Sequence, residues 1–174
     1  LSLHDALPIC VDELKVQALE NGAPETVEEK IVYLTFDDGP TGKVTEKILD
    51  VLKEHDVKAT FFVVGKEINQ REQVLKRIYE EGHSIGLHTY SHNLKSIYSS
   101  DESFIKEMEQ TSQKINEVLG EEVNSKIIRF PGGSSGRLSE GLLNKLHEGN
   151  YRIYDWNVSL EDGVNPNQIG RAHV

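Results

Sequence analysis

Two histidines four residues apart, His88 and His92, are the side chains of this sequence best suited to hold a metal ion. Imidazoles at this spacing lie on one face of a helical turn and can bind the same ion. One carboxylate from elsewhere would complete a set of two histidines and one acid, which leaves positions open for water and substrate. The alternative is a pair of ordinary surface histidines, the commoner origin of a lone His-x-x-x-His.

Two adjacent acids, Asp37 and Asp38, precede Gly39-Pro40. Neighbouring residues of a regular strand face opposite ways, so two carboxylates can share one site only where the strand breaks. Gly39-Pro40 provides such a break. The alternative is a polar turn, in which Asp-Gly is common.

A glycine-rich segment, RFPGGSSG at residues 129–136, begins with Arg129. Such a turn can aim a backbone N–H at developing negative charge, and Arg129 could orient a carboxylate through bidentate hydrogen bonds. The segment lacks the Gly-Lys-Ser/Thr pattern of a phosphate-binding loop. Asp155 and Trp156 form a further pair that could line a sugar site. A surface loop with an ordinary arginine and a core tryptophan are the alternatives.

Strand-like and helix-like segments alternate along the chain and must position these residues. β-branched and aromatic runs predict strands at residues 31–36, 59–64, 84–87, 127–130 and 151–156. Apolar residues at helical spacing predict the intervening helices. These residues are Val44, Ile48, Val51 and Leu52, then Val74, Leu75 and Ile78, then Phe104, Met108, Ile115 and Leu119 within 101–119, and lastly Leu142, Leu143 and Leu146.

This alternation predicts the α/β fold class, with parallel βαβ units and a sheet covered by helices. Function in such folds gathers at the carboxyl ends of the strands. The acid pair follows the first predicted strand, the two histidines the third, the arginine the fourth and Asp155-Trp156 the fifth. We therefore expect one site at that end of a barrel that this sequence leaves open. His55, His83 and His147 have no such partners and are expected to be structural or exposed.

Composition excludes several classes of protein. The 174 residues suffice for about one domain, and their net charge of −10 argues against a nucleic-acid partner and a polybasic membrane anchor. No apolar run approaches the ~20 residues that span a bilayer. Cys10 is the single cysteine, so no disulfide framework is expected.

Both ends of the sequence look foreign to the protein. Residues 1–9 (LSLHDALPI) and 169–174 (IGRAHV) resemble translations of two companion short-read sequencing adapters. We therefore expect both segments to be excluded from the fold, with a linker or upstream tail at 10–30 and the domain at 31–168. His4 and His173 are then not candidate ligands. The native protein is expected to extend beyond both ends, so a targeting segment would lie outside this sequence.

The motifs together resemble those of the polysaccharide deacetylase family, also called the NodB homology domain or carbohydrate esterase family 4. TFDDGP (35–40), HTYSH (88–92), RFPGG (129–133) and Asp155-Trp156 match its first four motifs in order and spacing, over about residues 30–167. The resemblance is strongest to bacterial peptidoglycan N-acetylglucosamine deacetylases. It implies a distorted (β/α) barrel, of which this sequence lacks the C-terminal strands.

The resemblance also implies a role for each motif residue. The implied ligands of a divalent metal, usually Zn²⁺, are Asp38, His88 and His92. The implied general base is Asp37, which Arg129 would hold in place.

The remaining motif residues are implied to form the substrate pocket. Pro131, Gly132 and Trp156 would line it, and Asp155 would tune a histidine of a fifth motif, Leu-x-His. Two departures from the family stand out. Gly132 replaces the usual aromatic residue, and no Leu-x-His occurs, so the usual general acid is absent from this sequence.

The implied activity is hydrolysis of N-acetyl groups from an amino sugar polymer, with peptidoglycan N-acetylglucosamine as the first candidate. Chitooligosaccharide, poly-N-acetylglucosamine and acetylxylan remain alternative substrates. An amidase acting on a non-sugar and a non-catalytic glycan-binding module on the same fold remain alternative functions. The expected location is extracellular or at the bacterial cell envelope. The sequence does not indicate an oligomeric state.

Overall fold

The computed structural model describes residues 31–159, and a parallel sheet of five strands forms its centre. The strands lie in the order of the sequence, and each neighbouring pair is parallel. They are β1 (Thr35–Gly39), β2 (Thr60–Val63), β3 (Ser84–Leu87), β4 (Ile127–Ile128) and β5 (Arg152–Ile153). The predicted α/β class with a parallel sheet is confirmed. The segments interpreted as adapter translations lie outside the described residues.

Helices connect the strands and cover the sheet. They are α1 (Gly42–Glu54), α2 (Glu72–Glu80), α3 (Leu94–Ile97), α4 (Asp101–Leu119) and α5 (Glu140–Glu148), with a 3₁₀ helix at Gly65–Ile68. Serines cap α4 and α5, since the hydroxyl oxygens of Ser100 and Ser139 accept N–H bonds from the first turns of these helices. The 3₁₀ helix and α3 were not predicted, because four residues are too few to show a helical repeat. Among the described residues, no helix is long and apolar enough to cross a membrane.

The buried face of α1 agrees with the prediction at Ile48 and Leu52, which pack in or against the core, but not at Val44 and Val51. Val44 and Val51 are 62% and 54% exposed, whereas Leu49 and Leu52 are buried, and so is Thr45. Burial of a hydroxyl is tolerated here because Thr45 Oγ1 accepts a hydrogen bond of 2.9 Å from the Thr41 N–H.

The first strand starts later than predicted, at Thr35 instead of residue 31. Thr35 pairs with Thr60 of β2, and the same register would place Ile31 opposite Asp56. Asp56 has a φ of 51° in the turn that follows α1, so it cannot continue a strand. Residues 31–33 therefore have no strand partner on this side and are exposed.

A buried histidine stands at the opposite end of β3 from the candidate site. His83 is 6% exposed, and its Nδ1 accepts a hydrogen bond from the Ala59 N–H. Its Nε2 lies 3.9 Å from Glu81 Oε2, and neither atom has a hydrogen-bond partner among the described residues. Burial lowers the pKa of His83, with Lys58 adding to the effect and Glu81 opposing it. The expectation that His83 is structural agrees with this burial, while His55 and His147 are exposed.

His83→Asn is expected to reduce the loss of stability on acidification. Because the pKa of His83 is lower in the folded than in the unfolded chain, its contribution is fully present above about pH 6.5 and is lost as the pH falls. Asparagine can still accept the Ala59 N–H bond but does not titrate. Urea unfolding of both proteins at about pH 7.5 and about pH 5.5 measures the effect. The difference in free energy of unfolding between the wild type and the variant should become smaller at the lower pH. An advantage that stayed constant or grew would contradict this assignment.

Candidate metal-dependent active site

A β-bulge in β1 contains the two adjacent acids, Asp37 and Asp38. Phe36 pairs with Phe61 and Gly39 with Val63, so three steps along β1 oppose two along β2. Asp38 has a φ of 65°, a left-handed conformation that aspartate tolerates better than most residues. The strand thus breaks at the acids themselves, and not at Gly39-Pro40 as predicted, because the extra residue of the bulge lies before Gly39.

The Asp38 carboxylate meets both histidines of the HTYSH segment. Its Oδ1 lies 3.4 Å from His88 Nε2 and 3.1 Å from His92 Nε2, and the three ligand atoms lie within 4.8 Å of one another. Ligand atoms of a tetrahedral zinc ion, bound at about 2.0–2.1 Å, are roughly 3.3 Å apart. The spacing of these donors fits a single divalent cation.

The orientation of His88 also fits a metal ligand. Its Nδ1 lies 2.8 Å from the backbone carbonyl of Arg129. A carbonyl only accepts, so Nδ1 carries a proton, and Nε2 can face Asp38 either as a donor or, with a metal ion between the two groups, through its lone pair. A lone pair facing a carboxylate oxygen requires a positive charge between or upon the two groups. Metal-binding histidines are commonly fixed by such a bond from their other nitrogen.

The electrostatics of the three groups favour a shared positive charge. Hydrogen bonds from His88 and then His92 hold the pKa of Asp38 well below its usual range. The hydrogen bond to Asp38 raises the pKa of His92. His88 is buried, whereas a third of the His92 side chain and two thirds of the Asp38 side chain are exposed. The site therefore opens to solvent on the side of Asp38 and His92.

The histidines meet through an irregular loop and not through the helical turn that their spacing predicted. Thr89 and His92 have φ angles of 67° and 52°, which no α-helix contains. The Thr89 hydroxyl oxygen accepts a 3.3 Å bond from the His92 N–H. The carbonyls of Thr89 and Tyr90 accept bonds from the N–H groups of Gly65 and Lys66, at the start of the 3₁₀ helix. These external partners replace helical hydrogen bonds.

Arg129 links the acid pair to the end of β5. Its Nη1 donates to Asp37 Oδ1 at 2.8 Å and to Thr35 Oγ1 at 2.7 Å, and its Nε donates to the Tyr154 carbonyl at 2.9 Å. The guanidinium is 3% exposed and lies 4.2 Å from the centre of the Phe62 ring. The predicted bidentate bond to a carboxylate is wrong: one nitrogen serves Asp37, because Nε is bound to Tyr154. No sequence pattern indicated Thr35 as a partner of Arg129.

The Arg137 guanidinium occupies the space into which a side chain at position 132 would extend. Gly132 has a φ of 75°, and a Cβ there would lie 2.9 Å from Arg137 Nη2. Arg137 Nη1 donates to the Pro131 carbonyl, which also accepts from the Tyr98 hydroxyl. The Arg137 guanidinium lies 4.4 Å from the Tyr98 ring centre. Arg137 therefore forms the wall of the loop beside Gly132.

Gly132→Ala is expected to destabilise the protein more than Gly136→Ala. Both glycines have positive φ angles, but a Cβ at Gly136 meets nothing within 4 Å. The control thus measures the backbone cost alone, about 1 kcal/mol. We expect roughly 0.5–1.5 kcal/mol more at Gly132, because Arg137 must leave its hydrogen bond to Pro131. Urea unfolding of both variants, and of each combined with Arg137→Ala, measures the difference. Equal losses would show that Arg137 moves aside freely.

Asp155 and Trp156 lie together at the glycine-rich loop. The Asp155 carboxylate is exposed and accepts bonds from the N–H and hydroxyl of Ser134. Trp156 is 45% exposed and lies 5.8 Å from the Arg129 guanidinium, measured to the ring centre. The alternative of a core tryptophan is wrong, since nearly half of this side chain faces solvent. An exposed indole beside Arg129 and Gly133 offers a flat apolar surface to a ligand.

Comparison with known proteins decides the family. The family model described as "Polysaccharide deacetylase" matches residues 25–152. The chain belongs to the polysaccharide deacetylase family. The family resemblance of the motifs is thereby confirmed, and solved structures named for the family share its α/β fold.

Named members of the polysaccharide deacetylase family match most of this chain. A peptidoglycan-N-acetylglucosamine deacetylase of Bacillus cereus is 41% identical over 135 residues, covering 78% of this chain and 48% of that protein. A peptidoglycan-N-acetylmuramic acid deacetylase of Bacillus subtilis is 34% identical over 147 residues, covering 84% and 54%. The crystal structure of a Bacillus cereus polysaccharide deacetylase superposes with a TM-score of 0.71 at 39% identity, covering 78% and 64%. The chain spans about half the length of the curated relatives it matches.

Proposed function

We propose that this chain is part of a metal-dependent hydrolase that removes N-acetyl groups from peptidoglycan N-acetylglucosamine and releases acetate. One observation carries the proposal: Asp38, His88 and His92 converge on one point, next to a second acid held by a buried arginine. Hydrolysis of an amide needs both a group that polarises the carbonyl and a base for the attacking water. These two sets of residues are suited to the two tasks.

In this proposal each residue has one task. Asp38, His88 and His92 would hold Zn²⁺, which would polarise the carbonyl and lower the pKa of a bound water. Asp37 accepts the proton of the attacking water at a carboxylate oxygen, while the hydrogen bond from Arg129 fixes the orientation of that carboxylate. The Gly132 N–H donates to the oxygen of the tetrahedral intermediate, a type of contact whose loss costs roughly 10²–10³ in rate.

The leaving amine needs a proton, and Asp155 is proposed to act there indirectly. The family places a histidine in a Leu-x-His motif for this step, and we propose that it lies in a part of the protein outside this sequence. Asp155 would then orient that histidine, while Pro131 and Trp156 line the acetyl pocket. Asp155 is exposed and accepts bonds from the N–H and hydroxyl of Ser134 alone in the part of the chain that the structure describes, so its carboxylate is accessible to such a partner.

Peptidoglycan is proposed as the substrate because of the relatives' names. One is named for N-acetylglucosamine and another for N-acetylmuramic acid, and both sugars carry the same acetamido group. Chitooligosaccharide and acetylxylan are the alternatives to be tested beside them. Action on peptidoglycan requires a location at the cell envelope or outside the bacterial cell.

Zinc content and acetate release, measured together on the full-length protein, test the proposal. We expect about one equivalent of zinc and release of acetate from peptidoglycan, with loss of activity on chelation and recovery on zinc addition. A panel with chitooligosaccharide, acetylxylan and a non-sugar acetamide ranks the substrates. Bound zinc without acetate release from any of them would favour a non-catalytic glycan-binding module instead.

The boundaries of the domain are a separate proposal. We propose that residues 31–168 belong to the deacetylase domain, that 10–30 is a linker or upstream tail, and that residues 1–9 and 169–174 derive from sequencing adapters. The genomic sequence across residues 9–10 and 168–169 tests this proposal. Codons for these terminal segments in the genome would contradict it.

A further inference from the structure

The loop between the two histidines depends on partners outside itself for its backbone hydrogen bonds. Its carbonyls at Thr89 and Tyr90 accept from the 3₁₀ helix. Its amides at Tyr90 and Ser91 need an acceptor as well. Nothing in the HTYSH sequence supplies one, because the Thr89 hydroxyl oxygen is engaged by His92.

The acceptor is the side chain of Glu107 in the middle of α4. Its Oε2 accepts from the N–H groups of Tyr90 at 2.8 Å and Ser91 at 2.6 Å. Its Oε1 accepts from the Ser91 hydroxyl at 2.8 Å. One carboxylate therefore binds three donors of the loop that lies between the two histidines.

The position of Glu107 on α4 is itself fixed by packing. Phe104 and Met108, on the same stripe of the helix, are buried in the core, and so is Thr111. The Thr111 hydroxyl also donates to the Glu107 carbonyl at 2.9 Å. Because α4 is anchored in this way, the Glu107 carboxylate has a fixed position against the loop and does not act only as a mobile negative charge.

The loop conformation is costly without this support. Left-handed φ angles at Thr89 and His92 are unfavourable for residues that carry a Cβ. Those angles set the direction of the His92 ring relative to His88. The three hydrogen bonds from the loop to one carboxylate offset this backbone cost.

We propose that Glu107 is a positioning residue of the metal centre, which holds the HTYSH loop in the one conformation that aims both imidazoles at Asp38. The inference rests on the proposed metal site and deepens it. Glu107 touches neither histidine ring in the part of the chain that the structure describes. It acts through the loop amides, in the manner of groups that orient metal ligands without binding the metal.

Zinc affinity of the full-length protein tests this proposal, measured by chelator competition on metal-free protein. Glu107→Gln is expected to weaken zinc binding roughly 10–100-fold, the usual effect of losing a group that orients a ligand. Glutamine keeps one acceptor oxygen for the two amides, but it lacks the negative charge, and its NH2 group cannot accept the Ser91 hydroxyl proton. Glu109→Gln is the matched control, because Glu109 is an exposed acid of the same helix.

Two further variants test whether a partial loss of these hydrogen bonds gives a partial loss of zinc affinity. They also serve in place of Glu107→Gln if that variant folds poorly. Glu107→Asp keeps both acceptor oxygens on a shorter side chain and should recover part of the affinity. Ser91→Ala removes one of the three hydrogen bonds and should give a smaller loss than Glu107→Gln. Both should bind zinc more weakly than Glu109→Gln does.

The outcomes separate positioning from general support of the fold. Zinc affinities of Glu107→Gln, Glu107→Asp and Ser91→Ala all within about twofold of the control would overturn the proposal. A lower melting temperature of the metal-free protein with unchanged zinc affinity would overturn it as well, since Glu107 would then only stabilise the fold. Wild-type protein that bound zinc but released no acetate would contradict the proposed function, while the affinity comparison would still decide the role of Glu107.

Discussion

Replacing Asp37 with asparagine is expected to lower kcat by about 10²–10⁴-fold, the range attributed to general base catalysis. Asparagine has nearly the same shape, and its oxygen can still accept the Arg129 Nη1 bond that Asp37 accepts at 2.8 Å. It cannot take a proton from water. Steady-state acetate release on the full-length protein measures the loss, and zinc content should stay at the wild-type level because Asp37 is not among the proposed ligands.

The neighbouring acid provides the contrast. Asp38→Asn should lower zinc content, since Asp38 is the carboxylate that meets both histidine rings. The two variants differ by one position in the sequence and should separate loss of the base from loss of the metal. Wild-type kcat in Asp37→Asn would mean that another group removes the proton, and the role proposed for Asp37 would be wrong.

Replacing Arg129 with methionine is expected to damage both stability and activity. The buried guanidinium donates to Asp37, to Thr35 and to the carbonyl of Tyr154, and all three bonds would be lost. We expect the free energy of unfolding to fall by roughly 2–4 kcal/mol, less than for a fully buried ion pair because Asp37 is partly exposed. Loss of orientation of Asp37 should lower kcat by about 10²-fold.

Urea unfolding and acetate release at saturating zinc measure the two effects. Arg152→Met is the control, since Arg152 is an exposed arginine of the adjacent strand β5. Arg129→Lys keeps the charge but not the planar fork, so it should recover part of the stability and little of the activity. An Arg129→Met protein as stable and active as the control would show that the three hydrogen bonds contribute nothing.

Short local motifs made the site residues visible in the sequence, because each one stands at a strand end of a parallel sheet. Asp38, His88 and His92 come together as that placement requires. What the sequence could not supply was backbone conformation. The bulge in β1 and the left-handed residues of the HTYSH loop depend on pairing with β2 and the 3₁₀ helix, which local residue preferences do not encode.

Glu107 was missed for a related reason, although a signal was present. Phe104, Glu107, Met108 and Thr111 follow the i, i+3, i+4, i+7 spacing of one helix face. An acid inside an otherwise inward-facing stripe needs a partner, and that partner could have been sought at the neighbouring strand end. The prediction of the buried face of α1 was partly wrong because no such signal was present: Val44 and Leu49 are both apolar, so the sequence did not show which of them faces the core.

The extra residue in β1 makes the chemistry of the site depend on the number of residues in this strand. With one residue fewer between Phe36 and Gly39, an unbroken strand could pair with β2 throughout, and consecutive side chains would again face opposite sides of the sheet. A family member shortened by this residue could then keep its core and its fold, with only one of the two acids at the site. The number of residues between the paired phenylalanine and the glycine therefore distinguishes family members in which two acids can act at one site from those in which they cannot.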